Sequence, residues 1–259
     1  GGKSPVIISR SADLEKSLER IMLGKTMDAG QICVAPDYLL LPEEKLQGVI
    51  GAAQQVVATM YPTLLDNAQY TSVINERHYQ RLNGYLEEAR ERGVKVIEIN
   101  PAGEDFSQQQ GTHKIPPTLI PEPPEDLKLL QEEIFGPLLP IRTYREFSET
   151  VDYINSRPRP LAAYYFGDDA EEQNSVETRT TSGGMCINDV IMHISQEDLP
   201  FGGVGPSGMG SYHGIEGFRT FSHAKSIYRQ TGMNIGKLSG MLPPYGKTTE
   251  KSIRMQVKK

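Results

Sequence analysis

The residue with the most chemistry to offer is Cys33, in the run AGQICVAP at residues 29–36. A thiolate is a strong nucleophile, and the acyl-enzyme it forms splits one difficult step into two easier ones. Residue type alone leaves two readings of Cys33 open, because free cysteines are among the most buried residues in proteins. Its setting favours chemistry. It follows a Gly-Gln step where a helical pattern has broken, so a turn is expected, and turns carry reactive groups more often than cores do. The only other cysteine, Cys186, lies in the short apolar run GMCIND and is expected to be structural.

Other polar groups are ambiguous when taken singly. EEIFGP, residues 132–137, places two carboxylates before a turn, where taken alone a solvated pair is the favoured reading. Asn188 closes a short apolar run and could be a turn former. The stretch LPFGGVGPSGMGSYHGIEG holds seven glycines in nineteen residues, too many for the interior of a helix or strand. Gly203, Gly205 and Gly208 satisfy G-x-G-x-x-G, a dinucleotide-binding spacing. Its context fails, since Pro206 interrupts it, no strand leads cleanly in and no amphipathic helix is expected to follow. A loop that lets backbone approach a site closely is the better reading. The five histidines show no metal-ligand spacing with cysteine or carboxylate, so no metal site is expected.

Composition bounds the rest. At 259 residues the chain can bury a full core, and 37% hydrophobic with 23% charged residues suits a globular protein. A net charge of −6, with no basic face, argues against nucleic-acid binding. No apolar run of membrane-spanning length and no secretory leader pattern is visible, so no membrane partner is expected. Two cysteines make no disulfide framework, and a cytoplasmic setting is the expectation.

Helices and short apolar strands alternate. Leu14, Leu18, Ile21 and Met22 make one buried stripe on a helix entered through Ser11 and stopped near Gly30. DYLLLP reads as a strand, then a second helix runs through Leu46, Val49, Ile50, Ala53, Val57 and Met60. ERHYQRLNGYLEEARERG, REFSETVDYINS and DAEEQNSVETRT are further helices; VKVIEI, LLPIRTY, LAAYYF and GMCIND are strands, with another short one in PPTLIPEPPED. This alternation predicts an α/β fold with a mostly parallel sheet covered on both faces. FSHAKSIYRQ is expected to be a strand, and the polar tail beyond it to cross to another domain or subunit.

Five segments in this order, GGKSP, GQICVAP, EEIFGP, GGMCIND and LPFGGVGPSGMG, resemble the aldehyde dehydrogenase superfamily. The match runs through at least residues 1–230, and the glycine-rich half is similar to the class 3 branch and to coniferyl-aldehyde dehydrogenases. The resemblance implies a three-layer α/β/α catalytic domain over residues 1–212, with an oligomerisation strand and tail over 213–259. It implies oxidation of an aldehyde, an aromatic one by the coniferyl-aldehyde likeness, to a carboxylic acid with NAD or NADP, through a thiohemiacetal and a thioester on Cys33. By the same resemblance Glu133 hydrogen-bonds the nicotinamide ribose, Phe135 packs near the nicotinamide, and Asn188 and Phe201 stand near the substrate funnel. Cys33 also supplies a backbone N–H to the alkoxide.

Two groups of the family's machinery match no position here. The side-chain oxyanion donor is an asparagine of the N-terminal, cofactor-binding half, and the general-base glutamate falls just upstream of Gly1. The dinucleotide-binding domain is therefore expected to be absent, the isolated chain inactive, and a homodimer or higher homo-oligomer is expected. A CoA-acylating or phosphorylating relative, or a non-catalytic structural piece, are the rival readings.

Overall fold

A computed structural model describes residues 1–109 and 111–257. Among these described residues, seven strands form one sheet in the order β3-β4-β5-β2-β1-β6-β7. They are β1 (Pro5–Ile8), β2 (Tyr38–Pro42), β3 (Ile97–Glu98), β4 (Thr118–Pro121), β5 (Leu138–Tyr144), β6 (Ala162–Phe166) and β7 (Gly184–Ile187). Only the β3–β4 pair is antiparallel; β1 lies centrally, with Val6 opposite Leu39 of β2 and opposite Tyr164 of β6. Parallel strands need crossovers, and these carry the helices that cover both faces.

On one face the alternate residues Val6, Ile8, Leu39, Leu41, Tyr164 and Phe166 pack against α1 (Leu14–Thr26) and α2 (Leu46–Met60). Those helices present the expected stripes, Leu18, Ile21 and Met22 on one and Val49, Ala53 and Val57 on the other. On the opposite face Ile7, Tyr38, Leu40 and Tyr165 meet α5 (Ser148–Ser156) through Ile154 and α6 (Ala170–Arg179) through Val176. A third cluster sets α3 (Glu76–Glu91) against Ile120, Leu130, Ile134 and Leu138, beside the one-turn α4 (Lys128–Gln131). Ile134, the apolar centre of EEIFGP, is fully buried there.

Three expectations change in detail. The first helix is capped by Asp13, which accepts from the Lys16 N–H, while the Ser11 hydroxyl accepts from the Asp168 N–H at 2.9 Å. It ends at Thr26, and Asp28, Ala29 and Gly30 follow with φ of 50°, 52° and 71°. The compact first unit runs from Gly1 to Phe221, past the expected boundary at residue 212. The glycine-rich loop folds back on it: Phe201 and Tyr212 exchange backbone hydrogen bonds of 2.8 and 2.9 Å. Within the same unit α7 (Gly214–Thr220) is tied down by the Thr220 hydroxyl, which donates to the Ser211 carbonyl.

The second unit, Ser222–Lys259, contains α8 (Ile235–Leu238) and α9 (Lys247–Gln256). FSHAKSIYRQ forms no strand among the described residues. A strand needs a neighbour to take its backbone N–H and C=O groups, and no strand among the described residues pairs with it.

Candidate active site

Residues 30–36 lead into the amino end of β2, residues 129–137 into that of β5, and Gly183 into that of β7. In a parallel sheet these three approaches share one edge. Cys33 sits in the turn expected for it, half-buried, with the Ala35 N–H donating to Ile32 O at 2.9 Å. The turn is held from several sides. The Tyr164 hydroxyl donates to Val34 O at 2.5 Å, and the fully buried Lys25 ammonium donates to Pro36 O at 2.8 Å. Gln31 staples the turn to the segment before α3, accepting from Ile74 N–H at 2.8 Å and donating to Ser72 O at 3.0 Å.

Gly30 brings this turn against EEIFGP. A Cβ added there would lie 2.5 Å from Gly136 O, so two stretches of backbone touch where no side chain fits. The same device joins the other segments, since a Cβ on Gly183 would lie 2.2 Å from Gly202 O. Gly1 adjoins Glu133, and its backbone nitrogen donates to Ser207 O at 3.1 Å. All five segments singled out in the sequence thus converge on one edge of the sheet.

Glu133 is half-buried beside a cavity of about 160 Å³ that Lys3, Tyr38, Tyr153 and Arg157 also line. Burial pushes its carboxyl above the usual range, opposed chiefly by a hydrogen bond from the Gly2 backbone. Phe135 is 39% exposed and has φ +48°, a conformation that a bulky residue adopts only when its surroundings impose it. Phe201 packs at the margin of the first core cluster, its ring 6.2 Å from His193 and stacked on His213 at 6.0 Å.

Asn188 is the exception. It lies at the carboxyl end of β7, the opposite edge from Cys33, and its amide is engaged at both ends. Its Oδ1 accepts from Gly167 N–H at 2.8 Å and its Nδ2 donates to Gly167 O at 3.1 Å. With φ +56°, it fills a turn position asparagine tolerates well. The structure places Asn188 as a clasp between the ends of β6 and β7, away from the Cys33 edge.

Cys186 is buried, its Sγ 3.1 Å from His193 Nδ1. Burial raises the thiol and lowers the imidazole, so both shifts favour the neutral forms. Sequence reasoning missed the groups that hold the site, namely Lys3, Lys25, Asp37 and Tyr164. Lys3 and Asp37 lie in or next to GGKSP and GQICVAP, but only the fold reveals that they meet. Among the described residues, no three His, Cys, Asp or Glu side chains gather as a metal site would require, and no helix is long and apolar enough to cross a membrane.

Comparison with known proteins identifies the family of the chain. A probable coniferyl aldehyde dehydrogenase of Caulobacter vibrioides is 54% identical over the whole chain, which covers 53% of that protein. The coniferyl aldehyde dehydrogenase of a Pseudomonas species is 55% identical over 95% of the chain and 51% of its own length. Among solved structures, substrate-bound AldH of Staphylococcus aureus superposes with a TM-score of 0.80 at 38% identity, covering all of this chain and 54% of that one. Other similar solved structures are an aldehyde dehydrogenase of Mycobacterium tuberculosis complexed with NAD+ and an NADP-dependent glyceraldehyde-3-phosphate dehydrogenase of Bacillus halodurans complexed with NADP. The chain spans about half the length of the curated relatives it matches. Residues 1–227 match the model of the aldehyde dehydrogenase family, and the chain belongs to that family.

Proposed function

We propose that this chain is the nucleophile-bearing half of an NAD(P)-dependent aldehyde dehydrogenase that oxidises an aromatic, coniferyl-like aldehyde to its carboxylic acid. One observation carries the reading: the Cys33 turn and the Glu133–Phe135 loop are pressed together through Gly30 and Gly136 at the same edge of the sheet. A nucleophile and a cofactor-facing loop need that proximity. The names of the close relatives support the substrate class.

In this mechanism Cys33 Sγ attacks the aldehyde carbon, and the carbonyl electrons move to oxygen. The Cys33 backbone N–H donates to that oxygen, a contribution of about 3 to 4 kcal/mol for a well-placed donor. NAD(P), when bound, supplies the hydride acceptor. The residues present fit it: Glu133 offers a half-buried carboxylate to a ribose hydroxyl, and Phe135 holds an exposed ring beside it. Loss of hydride from the thiohemiacetal leaves a thioester on Cys33, which water cleaves to the acid. By the family resemblance, turnover also draws on a water-activating glutamate and a side-chain oxyanion donor that match no position of this chain. Exposed Ile227, Tyr228, Met233 and Leu238 in the second unit support association with a second copy.

The test uses an enzyme carrying this chain together with the N-terminal half of its relatives. Cys33→Ala is expected to abolish aldehyde oxidation while leaving the fold intact. Glu133→Gln removes a charge-assisted hydrogen bond of about 1.5 to 3 kcal/mol and is expected to slow hydride transfer. Near-parental turnover in Cys33→Ala would end the assignment.

A further inference from the structure

Asp37 follows the Cys33 turn and is 4% exposed, one residue before β2. Its Oδ1 accepts from the buried Ile134 N–H at 3.0 Å, and its Oδ2 accepts from the Lys3 ammonium. That ammonium also donates to Leu129 O at 2.7 Å and Glu132 O at 2.9 Å. Two side chains therefore hold three backbone groups of one loop, and Glu132 O and Ile134 N stand on either side of Glu133. A further tether comes from Arg81, which donates to Ile134 O at 2.8 Å.

Burying an acid–base pair adds little stability over an apolar pair of the same size, but it fixes geometry. Hydrogen bonds from backbone to a carboxylate, and from an ammonium to carbonyls, are charge-assisted and roughly twice as strong as neutral ones. What they fix here is specific. Asp37 shares a short connection with Cys33, whose Pro36 carbonyl is held from below by Lys25. Any movement of the nucleophile turn is passed to the 129–135 loop through Asp37. The positive φ of Phe135 lies one residue beyond the Ile134 tether, where strain persists only if the surroundings over-determine the backbone.

We infer that Asp37, with Lys3, is a positioning residue that sets the distance between Cys33 and the Glu133–Phe135 loop, and hence the geometry of hydride transfer. The inference rests on the function proposed above. Asp37 touches neither substrate nor cofactor and acts through the loop.

In an enzyme carrying this chain with the N-terminal half of its relatives, Asp37→Asn keeps an oxygen for the Ile134 N–H but loses the charge that holds Lys3. Two rates are measured per titratable Cys33 thiol, so a reduced folded fraction cancels: single-turnover hydride transfer, and acylation of Cys33 by p-nitrophenyl acetate. Hydride transfer is expected to fall about tenfold or more while acylation changes less than about threefold, since misplacement by about 1 Å can cost about 100-fold. The double variant Lys3→Met with Asp37→Leu replaces the pair by apolar groups and keeps the volume filled. It is expected to lose hydride transfer in the same way, which separates positioning from stability. Glu133→Gln is run alongside. Parental hydride transfer in both Asp37 variants, with Glu133→Gln slow, would overturn the inference. Parental hydride transfer in Glu133→Gln would instead sink the reading of Glu133, and the role of Asp37 with it.

Discussion

Replacing Gly30 by alanine tests the contact on which the site depends. Gly30 has φ +71°, a conformation that costs an alanine about 1–2 kcal/mol. The added methyl would lie 2.5 Å from Gly136 O, 2.9 Å from Gly136 C and 3.0 Å from Lys25 O. All three are backbone atoms, so no rotamer change relieves the clash. Forcing a methyl group into such a site typically costs a further 1–3 kcal/mol or so, for a total loss of about 2–5 kcal/mol. Gly51 is the control, because it lies exposed within α2 and a Cβ there meets nothing within 4 Å. Gly51→Ala is expected to stabilise by about 0.5–1 kcal/mol, as alanine does in a helix interior. Urea unfolding of the two variants against the parent, followed by circular dichroism, measures both. A Gly30→Ala variant as stable as the parent would refute the close approach, and with it the claim that the Cys33 turn and the EEIFGP loop are in contact.

Burial pushes the Lys25 ammonium from 10.5 down to about 8, with Asp37 opposing the shift. Between those values the unfolded chain retains a proton that the folded chain has released, so stability rises with pH across that window. The parent's unfolding free energy relative to Lys25→Met should therefore grow by about 3 kcal/mol from near pH 7 to near pH 10.5; a flat difference refutes this. Cys186→Ala leaves His193 Nδ1 without its sulfur partner and should cost about 1–3 kcal/mol in denaturant unfolding, while iodoacetamide still alkylates Cys33 at the parental rate. Asn188→Ala removes both hydrogen bonds to Gly167 and puts alanine at φ +56°, a loss of about 2–4 kcal/mol in the same assay. Unchanged stability with altered Cys33 alkylation in that variant would return Asn188 to the nucleophile's edge.

The elements were legible because their causes are local. The stripes of α1 and α2 are set by spacing along one chain segment, and the buried strands β2 and β6 by runs of apolar residues that no turn former interrupts. Cys33 was legible as a turn residue for the same reason. The joint under it was not. Lys3, Asp37 and Ile134 are far apart in sequence, and a buried ion pair leaves no periodic trace. Asn188 was ambiguous because the end of a strand is equally good for a clasp and for a site residue, and its partner Gly167 is remote in sequence. The missing strand after Phe221 has a different origin. Sequence shows that a segment can be extended, whereas pairing requires a neighbour.

Open parallel sheets commonly bind ligands at the carboxyl ends of their strands, where the strand order reverses. Here the order reverses at β1, with β2 on one side and β6 on the other. That edge does hold a cavity of about 230 Å³, lined by Asp13, Lys16, Arg20, Gly167 and Asn188. Its polar groups largely satisfy one another: Lys16 pairs with Asp13, Arg20 donates to Asn188 O, and Asn188 clasps Gly167. The opposite edge is differently made. It gathers a half-buried thiol, a half-buried carboxylate and an exposed phenyl ring on loops held by glycine contacts and by the Asp37–Lys3 joint. Groups left available for a ligand, on backbone that cannot shift, are what a catalytic edge requires. By that criterion the amino edge suits the proposed chemistry better, whereas the fold-level rule, applied without the side chains, points to the other end of the sheet.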